Sequence, residues 1–222
     1  MLVCALPLEL LGARRHADEA RATSNDNLLL RFIYSLGRLY GFVASDMLSK
    51  VKDISAKLKS DRINYATVQK MIQYECGDKN DQHGTRQFLW LHRANEFVVE
   101  FLQALRANVL FHNKHQFTKE EIDWKQCEYI LDQWKDKETH DIVWNVYMAT
   151  LSKHHSWITH QIVHVASYAT PSSKEMLKIF GGDSKTNLLQ LNKLTVEIID
   201  KARQDFVNLD AYLEKMNVRL LY

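Results

Sequence analysis

The chain has 222 residues, 46% apolar and 25% charged, with a formal net charge of +2, the profile of one soluble globular domain large enough to bury a core. Ordinary usage of about 7% Gly and 5% Pro would supply roughly 26 of the two, yet the sequence has 7 Gly and 2 Pro. That shortage argues against a β-sandwich, a linker-rich chain and a collagenous or disordered one, and predicts an all-α domain. The balance of 29 Lys and Arg against 27 Asp and Glu creates no strong field, so nucleic acid is not an expected partner. Cys4, Cys76 and Cys127 are odd in number and far apart, which supports neither a disulfide framework nor a thiolate metal site and suits a cytoplasmic protein. No stretch reaches the ~18 apolar residues of a membrane span.

In chain order, residues 1–25 read as a polar arm, and residues 26–222 as a single helical domain. A helical pattern runs from Leu28 to Tyr40, breaks near Gly41 and resumes from Ser45 to Leu58. A shorter helix is expected over Tyr65 to Tyr74, ended by Gly77. The strongest segment is Thr85 to Leu105, where Leu91, Ala94, Val98, Leu102 and Leu105 follow one another at helical spacing. Thr118 with Glu121 and Ser172 with Glu175 have capping-box spacing and place helix starts. Between them the pattern predicts helices over Lys119–Trp134, His140–Leu151 and His155–Ala169, with Pro171 as a stop. Gly181-Gly182 closes a short helix, and a last helix runs from Lys185 to Met216 with Leu191, Leu194, Ile198, Ala202, Phe206, Leu209, Leu213 and Met216 on one stripe.

Nothing in the sequence suggests an enzyme or a bound cofactor. His160 and His164 have a metal-ligand spacing, but Gln161 stands where H-E-x-x-H has its Glu, and no carboxylates accompany the pair, so no metal is expected. Asp46, Lys50 and Asp53 share one helix face, which by itself reads as a solvated ion-pair face. Arg86, Trp90 and Arg93 place an aromatic plane between two guanidiniums on the central helix. His155 lies at the polar end of the stripe Ile158, Ile162, Val165, Ala169, where a core histidine bonded to a backbone carbonyl is the plain alternative.

Four of these pieces, in order, resemble the glycolipid transfer protein family. Phe88 to Phe97, with Trp90-Leu91-His92-Arg93-Ala94, is similar to its W-L-x-R central helix. His155-Ser156-Trp157 and Tyr168-Ala169-Thr170-Pro171 are similar to its H-x-W and Y-A-x-P segments. Ala44 to Lys50 resembles its recognition helix, and Lys215-Met216-Asn217 its terminal K-M-N. The resemblance implies a two-layer all-α sandwich of about eight helices that carries one sphingolipid between membranes without altering it. It further implies that Asp46 accepts from headgroup hydroxyls and the ceramide amide, that Trp90 stacks on a sugar, and that His155 donates to the amide oxygen. Trp157 and Tyr168 would face the membrane, in transient contact.

The headgroup is ambiguous on this resemblance. Glycolipid-selective members have Asn where this chain has Lys50, and Lys where it has Asp53. Members selective for ceramide 1-phosphate have Lys at position 50 and Arg at positions 86 and 90, and this chain matches them at Lys50 and Arg86 but not at Trp90. The indole tilts the expectation toward a glycosphingolipid, with ceramide 1-phosphate or another anionic sphingolipid as the alternative. An alternative of another class is a lipid-sensing or helical interaction module without transfer activity.

Overall fold

The computed structural model describes residues 41–77, 81–179 and 184–218. The expected arm over 1–25, the helix expected up to Tyr40 and the Gly181-Gly182 stop lie outside them. Among the described residues there are eight α-helices and no strand, as the Gly and Pro shortage predicts. They are α1 (Gly41–Ser60), α2 (Val68–Gly77), α3 (His83–His112), α4 (Trp124–Trp134), α5 (Thr139–Thr150), α6 (Trp157–Ser167), α7 (Ser173–Ile179) and α8 (Lys185–Lys215). Single 3-10 turns at Lys114–Gln116 and Ser152–His154 precede α4 and α6. The described residues form two compact units. One comprises the described residues up to Asn95 together with those from Ala202 onward, and the other the described residues within Glu96–Lys201, so α3 and α8 each contribute to both.

In the first unit, Val68, Met71 and Ile72 of α2, Phe88 and Leu89 of α3, Leu209 and Leu213 of α8, and Val218 form one apolar cluster. The end of α8 explains the K-M-N motif. Asn217 takes a left-handed φ of 53°, which Asn tolerates better than most residues. The Val218 amide then bonds back to the Leu213 carbonyl at 3.1 Å and that of Asn217 to Glu214 at 3.0 Å, a Schellman closure that turns Val218 into the core.

The polar centre of this unit is Glu75, whose side chain is 1% exposed. One carboxylate oxygen accepts from the Tyr65 hydroxyl at 2.9 Å and the Gly84 amide at 3.0 Å; the other accepts from the amide and hydroxyl of Thr85 at 2.6 and 2.7 Å. Glu75 thus satisfies orphan donors at the start of α3 and places a negative charge at the positive end of that helix. Lys57 of α1 approaches the same carboxylate at 3.5 Å and Asp81 at 3.1 Å. Burial alone would lower the affinity of Lys57 for its proton, but the bonds to Asp81 and Tyr65 and the charge of Glu75 more than reverse this, and its pKa is raised.

In the second unit, buried Asn108 of α3 donates to the carbonyls of Trp134 and Lys137, both at 2.9 Å, and accepts from the Ser173 hydroxyl at 2.7 Å. One amide therefore ties α3 to the end of α4 and the start of α7. The Ser172–Glu175 capping box forms as expected, with Glu175 accepting from the Ser172 amide at 2.8 Å and the Glu175 amide donating to the Ser172 hydroxyl at 3.3 Å.

Among the described residues the break expected near Gly41 is absent, since α1 begins at that residue, and α3 runs past the expected end at Leu105 to His112. Three helix starts fall later than expected, each because a side chain captures backbone amides first. The helix expected from Tyr65 starts at Val68, because Asp61 accepts from the amides of Ile63 and Asn64 and holds a turn there. The Thr118–Glu121 contact forms at 2.8 Å, but Lys185 also holds that carboxylate at 2.9 Å, and the pair closes a turn while α4 begins only at Trp124. The helix expected from His155 begins at Trp157, because Ser156 caps it by accepting from the Thr159 amide.

A Cβ added at Gly84 would stand 2.8 Å from a Glu75 carboxylate oxygen and 2.9 Å from the Met71 sulfur. Gly84→Ala should destabilise the protein by about 1–3 kcal/mol, as overpacked sites do. At Gly77 nothing lies within 4 Å, and Gly77→Ala should be neutral or stabilising by up to about 1 kcal/mol through the unfolded state. Urea denaturation of both variants checks the contrast.

Candidate functional site

The first unit brings together three of the residues singled out in the sequence. Asp46 and Lys50 stand one turn apart on α1, and the Lys50 ammonium lies 2.6 Å from the Asp46 carboxylate. That ammonium also lies over the ring of Trp90 on α3, 4.2 Å from its centroid. The Lys50 side chain is only 15% exposed and that of Asp46 44%. This is therefore not the solvated ion-pair face that the spacing alone suggests. A cation seated on an indole and a carboxylate is attracted by the ring quadrupole as well as by the charge, worth about 0.5 to 2 kcal/mol depending on desolvation.

Arg86 precedes Trp90 by one turn on α3 and is exposed, with no ion-pair partner among the described residues. Arg93, one turn beyond Trp90, is half-buried. Asp53 faces His83 at the start of α3, 3.5 Å away. Around Trp90 the first unit thus brings together the Asp46 carboxylate, the seated Lys50 ammonium and the indole, with the Arg86 guanidinium one turn away on α3, a set suited to hydroxyl, amide and anionic oxygen partners.

His155 belongs to the second unit. It has extended backbone, φ −116° and ψ 150°, between the Ser152–His154 turn and α6, and so is not the first turn of a helix as expected. Its Nδ1 lies 3.0 Å from the hydroxyl of Tyr147. Tyr147 is 1% exposed, and burial pushes its pKa up to about 12, so the hydroxyl keeps its proton at neutral pH. The hydroxyl can donate to Nδ1 or accept from it, according to the tautomer; when it donates, the ring hydrogen stands on Nε2. Tyr147 was not singled out in the sequence, because eight residues and a helix end separate it from His155 and no pattern marks the pair.

The stripe that begins at Trp157 does not enter the core. Trp157 is 72% exposed, Ile158 64%, Ile162 50%, Val165 66% and Tyr168 63%. The polar face of α6 turns inward instead, where the His160 Nε2 donates to the Ser152 carbonyl at 2.9 Å and His164 meets the edge of Trp144 at 4.8 Å. Tyr168 stacks on His140 at 4.6 Å. Both histidines of the metal-like spacing are thus engaged by protein groups, and among the described residues no three His, Cys, Asp or Glu side chains converge as ligands. No helix among the described residues is long and apolar enough to cross a membrane.

The sequence profile described as glycolipid transfer protein (GLTP) matches residues 25–182. The chain is 28% identical over 176 residues to the ceramide-1-phosphate transfer protein of Mus musculus, covering 73% of this chain and 69% of that one. To the protein of the same name from Danio rerio it is 25% identical over 186 residues, covering 79% and 76%. The crystal structure of the mouse protein in its apo form aligns with a TM-score of 0.62 at 25% identity, over 86% of this chain and 83% of that one. With a profile match across most of its length and a helical architecture to go with it, the chain belongs to the glycolipid transfer protein family, whose members are lipid carriers and not enzymes.

Proposed function

We propose that this chain binds a sphingolipid with an anionic headgroup, of the ceramide 1-phosphate type, and carries it between membranes unchanged. The observation that carries this reading is the Lys50 ammonium, seated on Trp90 beside Asp46, with the exposed Arg86 one helical turn before that indole. Moving an acyl chain from a bilayer to an apolar cleft exchanges one hydrocarbon environment for another, so the ~0.8 kcal/mol per CH₂ of transfer from water largely cancels. Selection must come from polar contacts at the headgroup. Each charge-assisted hydrogen bond from Lys50 or Arg86 to a phosphate oxygen contributes about 1.5–3 kcal/mol, whereas a neutral sugar gains little from either.

The relatives named for ceramide 1-phosphate support the same headgroup, and shift the balance away from the glycosphingolipid that Trp90 suggested in the sequence. In this reading Asp46 orients Lys50 for the headgroup. His155, held by Tyr147 as an Nε2 donor, serves the ceramide amide oxygen, which would otherwise lose about 1–3 kcal/mol on burial without a partner. The exposed face of Trp157, Ile158, Ile162, Val165 and Tyr168 is the docking surface for the bilayer.

Replacing Lys50 and Arg86 together by Ala should lower ceramide 1-phosphate transfer between vesicles at least tenfold, equivalent to about 1.4 kcal/mol. Wild-type protein that carries galactosylceramide and not ceramide 1-phosphate would overturn the assignment. Tyr147→Phe should leave helical content intact, mix the His155 tautomers in nitrogen-15 spectra, and weaken binding of every ceramide-based lipid by a similar factor. Trp157→Ala should reduce vesicle partitioning at low and high salt alike without a drop in melting temperature, since the indole is exposed. A lower melting temperature with unchanged partitioning would remove α6 from the docking role.

A further inference from the structure

We infer that Trp90 serves this site as the seat of the Lys50 ammonium and not as a platform for a sugar. The inference rests on the anionic-headgroup reading above and assigns the indole a role within it. Lysine is a point charge on a flexible four-carbon stem, and a ligand that recruits it must overcome the freedom of that stem. Here the ammonium is held from two helices at once, by Asp46 of its own helix at 2.6 Å and by the Trp90 ring of α3 at 4.2 Å. The first contact alone is an i, i+4 pair of the kind that stays mobile on a solvated helix. The second, together with the 15% exposure of the side chain, removes that mobility.

The same geometry works against a sugar. A pyranose stacks by laying its C–H face on a bare indole at van der Waals distance, and the indole face beneath the Lys50 ammonium is already covered. A sugar on that face would have to displace a cation that the ring attracts. A phosphate needs no such displacement. An ammonium has three N–H donors, and with one directed at Asp46 the others remain to meet anionic oxygens. The indole thus favours an anionic headgroup through Lys50, as a positioning residue.

The test measures the affinity of short-chain ceramide 1-phosphate for Trp90→Leu and Trp90→Phe, each made in the wild-type and in the Lys50→Gln background. Residual binding through Arg86 keeps the second background measurable. Trp90→Leu should weaken binding about tenfold when Lys50 is present, at the upper end of what a desolvated cation–ring contact supplies. Trp90→Phe, which retains a ring, should lose clearly less. In the Lys50→Gln background both should be silent, the coupling that a double-mutant cycle isolates. Equal losses with and without Lys50, or equal losses for Leu and Phe in proteins of matched melting temperature, would overturn the inference. If Trp90→Leu does not fold, the Trp90→Phe pair decides it by the same criterion. Galactosylceramide is measured alongside. If Trp90→Leu abolishes its binding while ceramide 1-phosphate binding is unchanged, the seat is refuted and the anionic reading stands. If wild-type protein binds galactosylceramide alone, both fall.

Discussion

The buried carboxylate of Glu75 is the constraint on which the described part of the first unit turns. It gathers the Tyr65 hydroxyl, the first free amides of α3 and the Lys57 ammonium within hydrogen-bonding or ion-pairing distance. A buried acceptor with this many donors fixes position strongly, because each donor deprived of it would be left desolvated. Lys57 follows Lys50 by seven residues on the same side of α1, and Thr85 precedes Arg86 directly on α3. The group that ties Lys57 to Thr85 therefore also sets how α1 meets α3 at Lys50 and Trp90. Gly84 is part of the same device, since only a residue without Cβ leaves room for the carboxylate.

The second unit handles different chemistry with a similar economy of parts. Tyr147 is buried, and its hydroxyl holds the imidazole it faces by a hydrogen bond at Nδ1. The segment carrying His155 is extended because Ser156, one residue later, caps α6. The cap also sets where α6 starts, and so which of its faces is polar and bonded inward and which carries Trp157, Ile158, Ile162 and Val165 to the solvent. In the proposed function this apolar surface meets the bilayer, and a net charge of +2 leaves little electrostatic attraction to substitute for it.

Much of this was legible in the residues. Scarce Gly and Pro, together with apolar spacing, determined an all-helical chain and the long α3, because backbone cost and helical periodicity act locally. The motifs around Asp46, Trp90, His155 and Asn217 pointed to one family, and the profile match confirms it. The capping box at Ser172 is likewise local and forms as its spacing requires. Where local signals competed, as at Asp61 and Glu121, spacing alone misplaced the helix start by several residues.

What only the tertiary structure decided is how residues distant in sequence share space. Periodicity says that Ile158, Ile162 and Val165 lie on one face, but an apolar face is the same pattern whether it is buried in a core or exposed, and only the fold separates the two. The charge pattern places Asp46 beside Lys50, yet nothing in it reveals that an indole from another helix lies under the ammonium. Nor could the sequence show that the Tyr147 hydroxyl meets Nδ1 of His155, since a hydrogen bond across a helix end has no period. The sequence by itself determined the helices and the family, because those follow from local preference and ordered motifs. The meaning of Trp90, of His155 and of the α6 face required the fold, because each depends on what stands opposite.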